Sequence, residues 1–151
     1  MPKFPPRSGY ETVGGIVMFG RTLDKIRLHH AELLPEDYNL GHGLDGRICS
    51  FLKIDYQFLV AETLKNKTDE EILNECFKIG RKPSEEEILI FNQFMTKRGW
   101  RDDASEWLVE QKQKSGFTHR DEIQTAFDFH DADEGRKPKF SVSDPDRKSV
   151  V

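Results

Sequence analysis

The sequence predicts an all-α fold, a compact single domain of six to seven short helices around an aromatic-rich core. Three observations carry that prediction. Ile16, Phe19, Leu23, Ile26 and His30 follow one another at intervals of 3, 4, 3 and 4, the stripe of an amphipathic helix. Two capping boxes, Thr68-Asp-Glu-Glu71 and Ser84-Glu-Glu-Glu87, each stand before an apolar run. No run of alternating β-branched residues occurs, so strands are not expected. The length of 151 residues suits one domain, and eleven Phe with two Trp supply the large apolar surface of a core.

Residues 1–11 hold three prolines and read as an extended arm, because proline blocks helix. The helical domain is expected over 12–134. Its first helix carries the stripe above, with Arg21, Asp24, Lys25 and Arg27 mainly off it, and is ended by Pro35. Gly14-Gly15 weakens its first turn. A loop rich in Gly, Asn and Asp spans 35–47, followed by a short helix with Ile48, Phe51 and Leu52 inward. Asp55 reads as the N-cap of another, with Phe58, Leu59 and Leu64 on its inner face. The box at Thr68 opens a helix burying Ile72, Leu73, Cys76 and Phe77, stopped by Gly80. The box at Ser84 opens one carrying Ile88, Phe91 and Met95 along one edge of its face, which Leu89 and Ile90 widen, broken by Gly99. Asp103-Ala-Ser-Glu106 reads as a third box, before a helix that buries Trp107 and Leu108. Asp121 opens the last helix, with Ile123, Phe127 and His130 along one side. From Gly135 to 151 the chain turns polar and reads as a tail.

Charge and composition exclude several functions. With 23 basic and 27 acidic residues the net charge is −4, which argues against a nucleic-acid footprint. The N-terminus has no apolar run of signal-peptide length, and no stretch is long and apolar enough to span a membrane, so a cytoplasmic protein is expected. Cys49 and Cys76 lack CxxC spacing and sit among apolar residues, which reads as two small buried thiols.

The candidate chemistry is sparse. Gly41-His-Gly43-Leu-Asp-Gly46 matches GxGxxG, but residues 36–40 are too polar for the buried strand a dinucleotide loop needs, so a glycine-rich turn is expected. His29 and His30 point about 100° apart on a helix and cannot easily share an ion; His30 is expected at the core edge and His29 in solvent. No HExxH motif, Cys/His grouping or nucleophile elbow is present, so neither a metal nor any cofactor is expected. Asp131-Ala-Asp133 fails the calcium-loop pattern at positions 5 and 12; acids at a helix C-terminus oppose the dipole, which implies a cationic partner for Asp131 or Asp133.

The cluster Arg21, Asp24, Lys25 and Arg27 is the strongest candidate. Arg21 and Lys25 share a helix face at i and i+4, where like charges repel unless an anion or carboxylate sits between them. Three readings follow: a bound anion, ion pairs with Asp45, Asp131 or Asp133, or plain solvation. Lys97-Arg-Gly-Trp-Arg101 ends a helix, with Trp100 expected to anchor the turn in the core or, alternatively, to serve with Arg101 as a stacking platform.

Pro6-Arg7-Ser8, Gly14-Gly15, Arg21-Thr-Leu-Asp24-Lys25-Ile-Arg27, Tyr38-Asn39, Leu44-Asp45, Phe51-Leu-Lys-Ile-Asp55, Thr68-Asp-Glu-Glu71, Arg120-Asp-Glu-Ile-Gln, Phe127-Asp128 and Asp131-Ala-Asp133 follow one another at the spacing of a known family. Over roughly residues 5–136 the chain resembles the bacterial domain of unknown function five-zero-six-nine. The resemblance implies a bacterial, single-domain, helical protein and brings no activity, substrate or cofactor with it. It leads one to expect Cys-Pro before Leu44-Asp45, where this chain has Gly41-His-Gly43, so no thiol role carries over to that loop.

Without a catalytic constellation, the expected function is a non-catalytic binding or interaction module with an unidentified protein or small anionic partner. Its candidate ligand-binding residues are Arg21, Asp24, Lys25, Tyr38, Asp45, Arg101 and Asp131. The alternative is an enzyme or sensor for a small anionic metabolite, with Arg21 and Lys25 as clamp, Asp24 or Asp45 as base and Tyr38 as donor. A second alternative is weak nucleic-acid binding through Lys97–Arg101.

Overall fold

The computed structural model describes residues 1–140, so most of the expected tail lies outside the described residues. Within the stretch expected to form one helical domain, packing gathers the chain into two compact units, Met1–Thr96 and a second from Lys97 onward. Seven helices are present among the described residues, as the all-α prediction requires.

The first unit opens with a feature that the sequence reading excludes. Two-residue strands β1 (Thr12–Val13) and β2 (Ile16–Val17) pair antiparallel, with Val13 opposite Ile16. Gly14 and Gly15 form the turn between them at φ 58° and 78°, the doubly left-handed backbone that a two-residue hairpin demands. Those glycines therefore close a hairpin instead of weakening a helix, and Ile16 is buried from a strand. Such a hairpin is too short for alternation to register in the sequence.

Helix α1 (Phe19–His30) follows directly, with Met18 in the left-handed region at the junction. It buries Phe19, Leu23, Ile26 and Leu28, together with Arg21 and Lys25. The 3-4-3-4 stripe thus holds from Phe19 to Ile26 but not at His30, which is exposed along with His29. Helices α2 (Leu44–Leu52), α3 (Tyr56–Thr63) and α4 (Asp69–Ile79) complete the core of this unit, with α1 packed on α2 and α3, and α3 on α4. Ile48, Leu52, Leu59, Ile72 and Cys76 are fully or almost fully buried there. The box at Thr68 is complete, each partner bonding the other's amide. Gly80 ends α4 for a different reason from the one expected. Its φ is −97°, not left-handed, and a Cβ there would stand 1.8 Å from the Leu52 carbonyl oxygen. Close approach of backbone, not conformational freedom, requires the glycine.

Helix α5 (Glu85–Lys97) starts at the second box, where Ser84 and Glu87 bond each other's amides. Its Asn92 accepts from the Val17 amide at 3.1 Å and donates to the Gly15 carbonyl at 2.7 Å, which fixes the helix to the hairpin. Phe91 stacks on Phe51 with centroids 4.0 Å apart, and the Arg81 guanidinium lies 4.9 Å from the Phe51 centroid.

The second unit holds α6 (Ser105–Lys114) and α7 (Ala126–Asp133). Leu108, Ile123 and Phe129 form its core, flanked by Phe117 and Ala132. Two helix starts differ from expectation. Asp102, not Asp103, accepts from the amides of Gly99 and Ala104, and α6 begins at Ser105. Helix α7 begins after Thr125, whose hydroxyl accepts from the Asp128 amide while Asp128 accepts from that of Gln124. Asp121 lies in the preceding turn. Trp107 and Trp100 are exposed. The buried residue of the 97–101 turn is Gly99, whose ideal Cβ would lie 3.3 Å from the Ala126 nitrogen, and not Trp100.

Candidate functional site

The basic face of α1 turns inward. Lys25 Nζ lies 2.9 Å from Asp45 Oδ2, and the two side chains are 6% and 0% exposed. Asp45 also accepts from the Thr22 hydroxyl at 2.8 Å and from the Gly41 amide at 3.0 Å. Lys25 donates in addition to the Asn39 carbonyl at 2.8 Å. The loop before α2 is thereby tied at two backbone points, to Lys25 of α1 through the Asn39 carbonyl and to Asp45 of α2 through the Gly41 amide. The GxGxxG letters have no strand before them, since residues 36–43 are turns and bends; their Gly41 amide serves a carboxylate of the chain itself.

A second network sits beside the first. Arg7 reaches Asp24 with its backbone amide, with Nε at 2.8 Å and with Nη2 at 2.9 Å, a bidentate pair of the strong kind. The same Nη2 is 2.7 Å from Asp69 Oδ2. Arg27 closes the ring, 2.7 Å from Asp69 Oδ1 and 3.5 Å from Asp24 Oδ1. Two guanidinium groups and two carboxylates alternate, so the ring carries no net charge. Burial pushes Asp69 up, but hydrogen bonds from Arg27 and Arg7 outweigh it and hold the carboxyl below its usual range. Arg7 is held more firmly protonated, chiefly by its hydrogen bond to Asp24. Gly20 leaves the room: a Cβ there would stand 2.9 Å from the Arg7 guanidinium carbon. Arg21, 2% exposed, donates to the Arg7 carbonyl at 3.1 Å. The proline-rich arm is therefore docked through Arg7, with Pro6 and Ser8 buried.

Of the candidate residues, Arg21, Asp24, Lys25 and Asp45 come together around α1. Tyr38 lies in the loop that Lys25 engages, its ring edge-on to Phe4 at 5.7 Å. Arg101 and Asp131 belong to the second unit. There Arg101 is exposed with its guanidinium 4.7 Å from the Trp100 centroid, and Asp131 pairs with Arg136 at 3.4 Å. Sequence reasoning missed Arg7, Thr22 and Asp69 as members of the cluster. Arg7 stands in an arm with no periodicity, and Asp69 reads as an ordinary first-turn acid.

The remaining chemistry is quiet. Burial first, then the Asp45 and Asp55 charges, pushes the Cys49 thiol up to about 11; burial takes Cys76 to about 12. Tyr56 is raised to about 12, mainly by burial. Such groups are poor nucleophiles and bases near neutral pH. Among the described residues no group of three or more His, Cys, Asp or Glu is arranged to hold a metal ion, and no helix is long and apolar enough to cross a membrane.

A second surface contrasts with this ionic interior. On α5 three large apolar side chains face solvent: Leu89 at 59%, Ile90 at 63% and Phe94 at 44% exposure. The Arg47 guanidinium lies 5.2 Å from the Phe94 centroid.

Fold and site together define a small helical protein in which Lys25 and Arg27 of α1 are matched by carboxylates and buried Arg21 by a backbone carbonyl. The family model described as Domain of unknown function (DUF5069) matches residues 3–136, and the chain belongs to that family. No curated protein matches the chain.

Proposed function

We propose that this protein is a non-catalytic interaction module whose contact surface is the outward face of α5. The observation that carries the reading is the exposure of Leu89, Ile90 and Phe94 on one helix. Exposed apolar side chains that cluster, instead of scattering singly, mark interaction surfaces. The alternative of an enzyme or sensor for an anionic metabolite draws less support, because Lys25 and Arg21 are buried and already bonded to groups of the chain. Nucleic-acid binding through Lys97–Arg101 is weakened by the pairing of Arg98 with Asp102 and Asp103. A protein partner in a bacterial cytoplasm fits the two free, buried thiols.

Native mass spectrometry of protein purified gently from bacterial cells tests the reading. An assembly heavier than the bare chain is expected for the wild type and is expected to dissociate in Ile90→Asp. A bare chain, an assembly indifferent to Ile90→Asp, or a retained small anion in its place overturns it.

A further inference from the structure

The partner that best fits the α5 face is a second copy of the same face, and this inference rests on the interaction reading above. At 100° per residue, Glu86, Leu89, Ile90, Gln93, Phe94 and Lys97 fall within one 140° arc of the helix. All six are exposed, while Met95 on the opposite side is fully buried. The Asn92 bonds to the hairpin fix which side faces inward.

The arc is self-complementary about its own midpoint, between residues 91 and 92. Glu86 and Lys97 stand equally far on either side of it, as do Leu89 and Phe94, and Ile90 and Gln93. A two-fold axis through that midpoint sets two α5 helices antiparallel. Leu89 of one copy then meets Phe94 of the other, and Glu86 meets Lys97 at both ends. Each contact occurs twice, as an isologous interface requires. The helix dipole accounts for the sign of the terminal charges, acids first and lysine last. It does not account for the apolar residues between them on the same arc. We infer that the protein forms an antiparallel α5–α5 homodimer, with an apolar centre and a Glu86–Lys97 pair at each end.

The test is sedimentation equilibrium on the full chain over a concentration series, with circular dichroism to show that each variant is folded. A dimer is expected for the wild type. Glu86→Lys and Lys97→Glu each place two like-charge pairs in the interface, and each is expected to weaken the dimer by about tenfold or more. The double variant E86K/K97E restores opposite charges and is expected to recover most of the affinity. A wild-type monomer at every concentration overturns the inference, as does a dimer indifferent to the single reversals or unrecovered in the double variant. If the chain is a monomer alone but Ile90→Asp strips a different protein from it in the native-mass experiment, self-pairing falls and the interaction module stands. If neither assembly depends on the α5 face, both fall.

Discussion

Asp45→Asn is the perturbation that separates a structural ionic cluster from a ligand clamp. The asparagine keeps the shape of the side chain and one acceptor for the Thr22 hydroxyl, 2.8 Å away in the native protein. Its amide group replaces the carboxylate oxygen that faces both the Lys25 ammonium, at 2.9 Å, and the Gly41 amide, at 3.0 Å. Both of those are donors, so a donor would face donors. Removing one member of a buried pair costs about 3–5 kcal/mol, because the charge left behind is still out of water. The retained Thr22 bond puts Asp45→Asn near the lower end, about 3 kcal/mol. Lys25→Met leaves the Thr22 and Gly41 donors on Asp45 and also lands near the lower end. In the double variant no unmatched charge remains, so its cost should fall short of the sum by about 1–3 kcal/mol. Urea unfolding followed at a helical circular-dichroism band measures all four proteins. With a slope of about 2 kcal/mol per molar urea, each single variant should move the midpoint down by about 1.5 M. Single-variant losses below about 1 kcal/mol, the range of solvent-exposed pairs, would refute the buried-pair account and make both cations ligand-binding candidates again.

Three further outcomes rest on particular contacts. Asp69 is held below its ordinary range, so its contribution is present above about pH 4, where the unfolded carboxyl is ionised, and is lost as pH falls through the folded value. Urea midpoints measured downward from pH 6 should therefore fall more steeply below pH 4 to 5 for the wild type than for Asp69→Asn; equal slopes would count against the Arg7–Asp69–Arg27 contacts. Cys49 and Cys76, raised to about 11 and 12 and buried, should resist a thiol reagent at pH 8 in the folded protein and react at once in denaturant, and rapid native labelling of either would contradict its burial in the core. Gly80→Ala drives a methyl into the Leu52 carbonyl and should cost about 3 kcal/mol by the same urea assay, whereas a neutral result would mean that the 79–81 segment yields freely.

The helix count was legible because its signals are local. Thr68 with Glu71 and Ser84 with Glu87 announce their helices through side chains three residues apart, and both boxes form as read. The same locality misleads at Asp103 and Asp121. Each region offers several Asx and Ser/Thr residues; Asp102 braces the turn before α6 through the Gly99 and Ala104 amides, and Thr125 caps α7. The hairpin was illegible because two residues per strand carry no period, although Gly14-Gly15 between Val13 and Ile16 is itself a turn signal. For the candidate site, spacing showed that Arg21 and Lys25 share a face and that a carboxylate such as Asp45 could lie between; it could not show which side of α1 faces in. That depends on Arg7, Asp45 and Asp69 arriving from three separate segments of the chain. The exposure of α5 was hidden for the converse reason. Leu89 and Ile90 widen an apolar face in sequence, and nothing local tells that the Met95 side of the helix is the one that is buried.

The ionic interior has a purpose that does not involve a ligand. The loop before α2 carries few apolar residues with which to dock, since among residues 36–43 only Leu40 has an aliphatic side chain, and Met1 and Phe4 of the arm before β1 are exposed. Both segments are held instead by polar groups of α1 and of Asp45. Arg21 takes the Arg7 carbonyl, Asp24 takes the Arg7 amide and guanidinium, Lys25 takes the Asn39 carbonyl, and Asp45 takes the Gly41 amide. Hydrogen bonds and fixed charges are directional, so they set the path of such segments more narrowly than apolar contact does, at a desolvation cost that buried pairs seldom recover in full. Buried Arg21 and Lys25, with half-buried Asp24 between them on α1, are then what places these two segments. Helix α5, by contrast, carries more apolar surface than its seating uses. Asn92, Phe91 and Met95 suffice to hold the helix on its own unit, while Leu89, Ile90 and Phe94 keep much of their surface in water. Three apolar side chains left exposed together on the face of one helix are a feature of this molecule that its own folding does not explain, and a partner on that face would explain them.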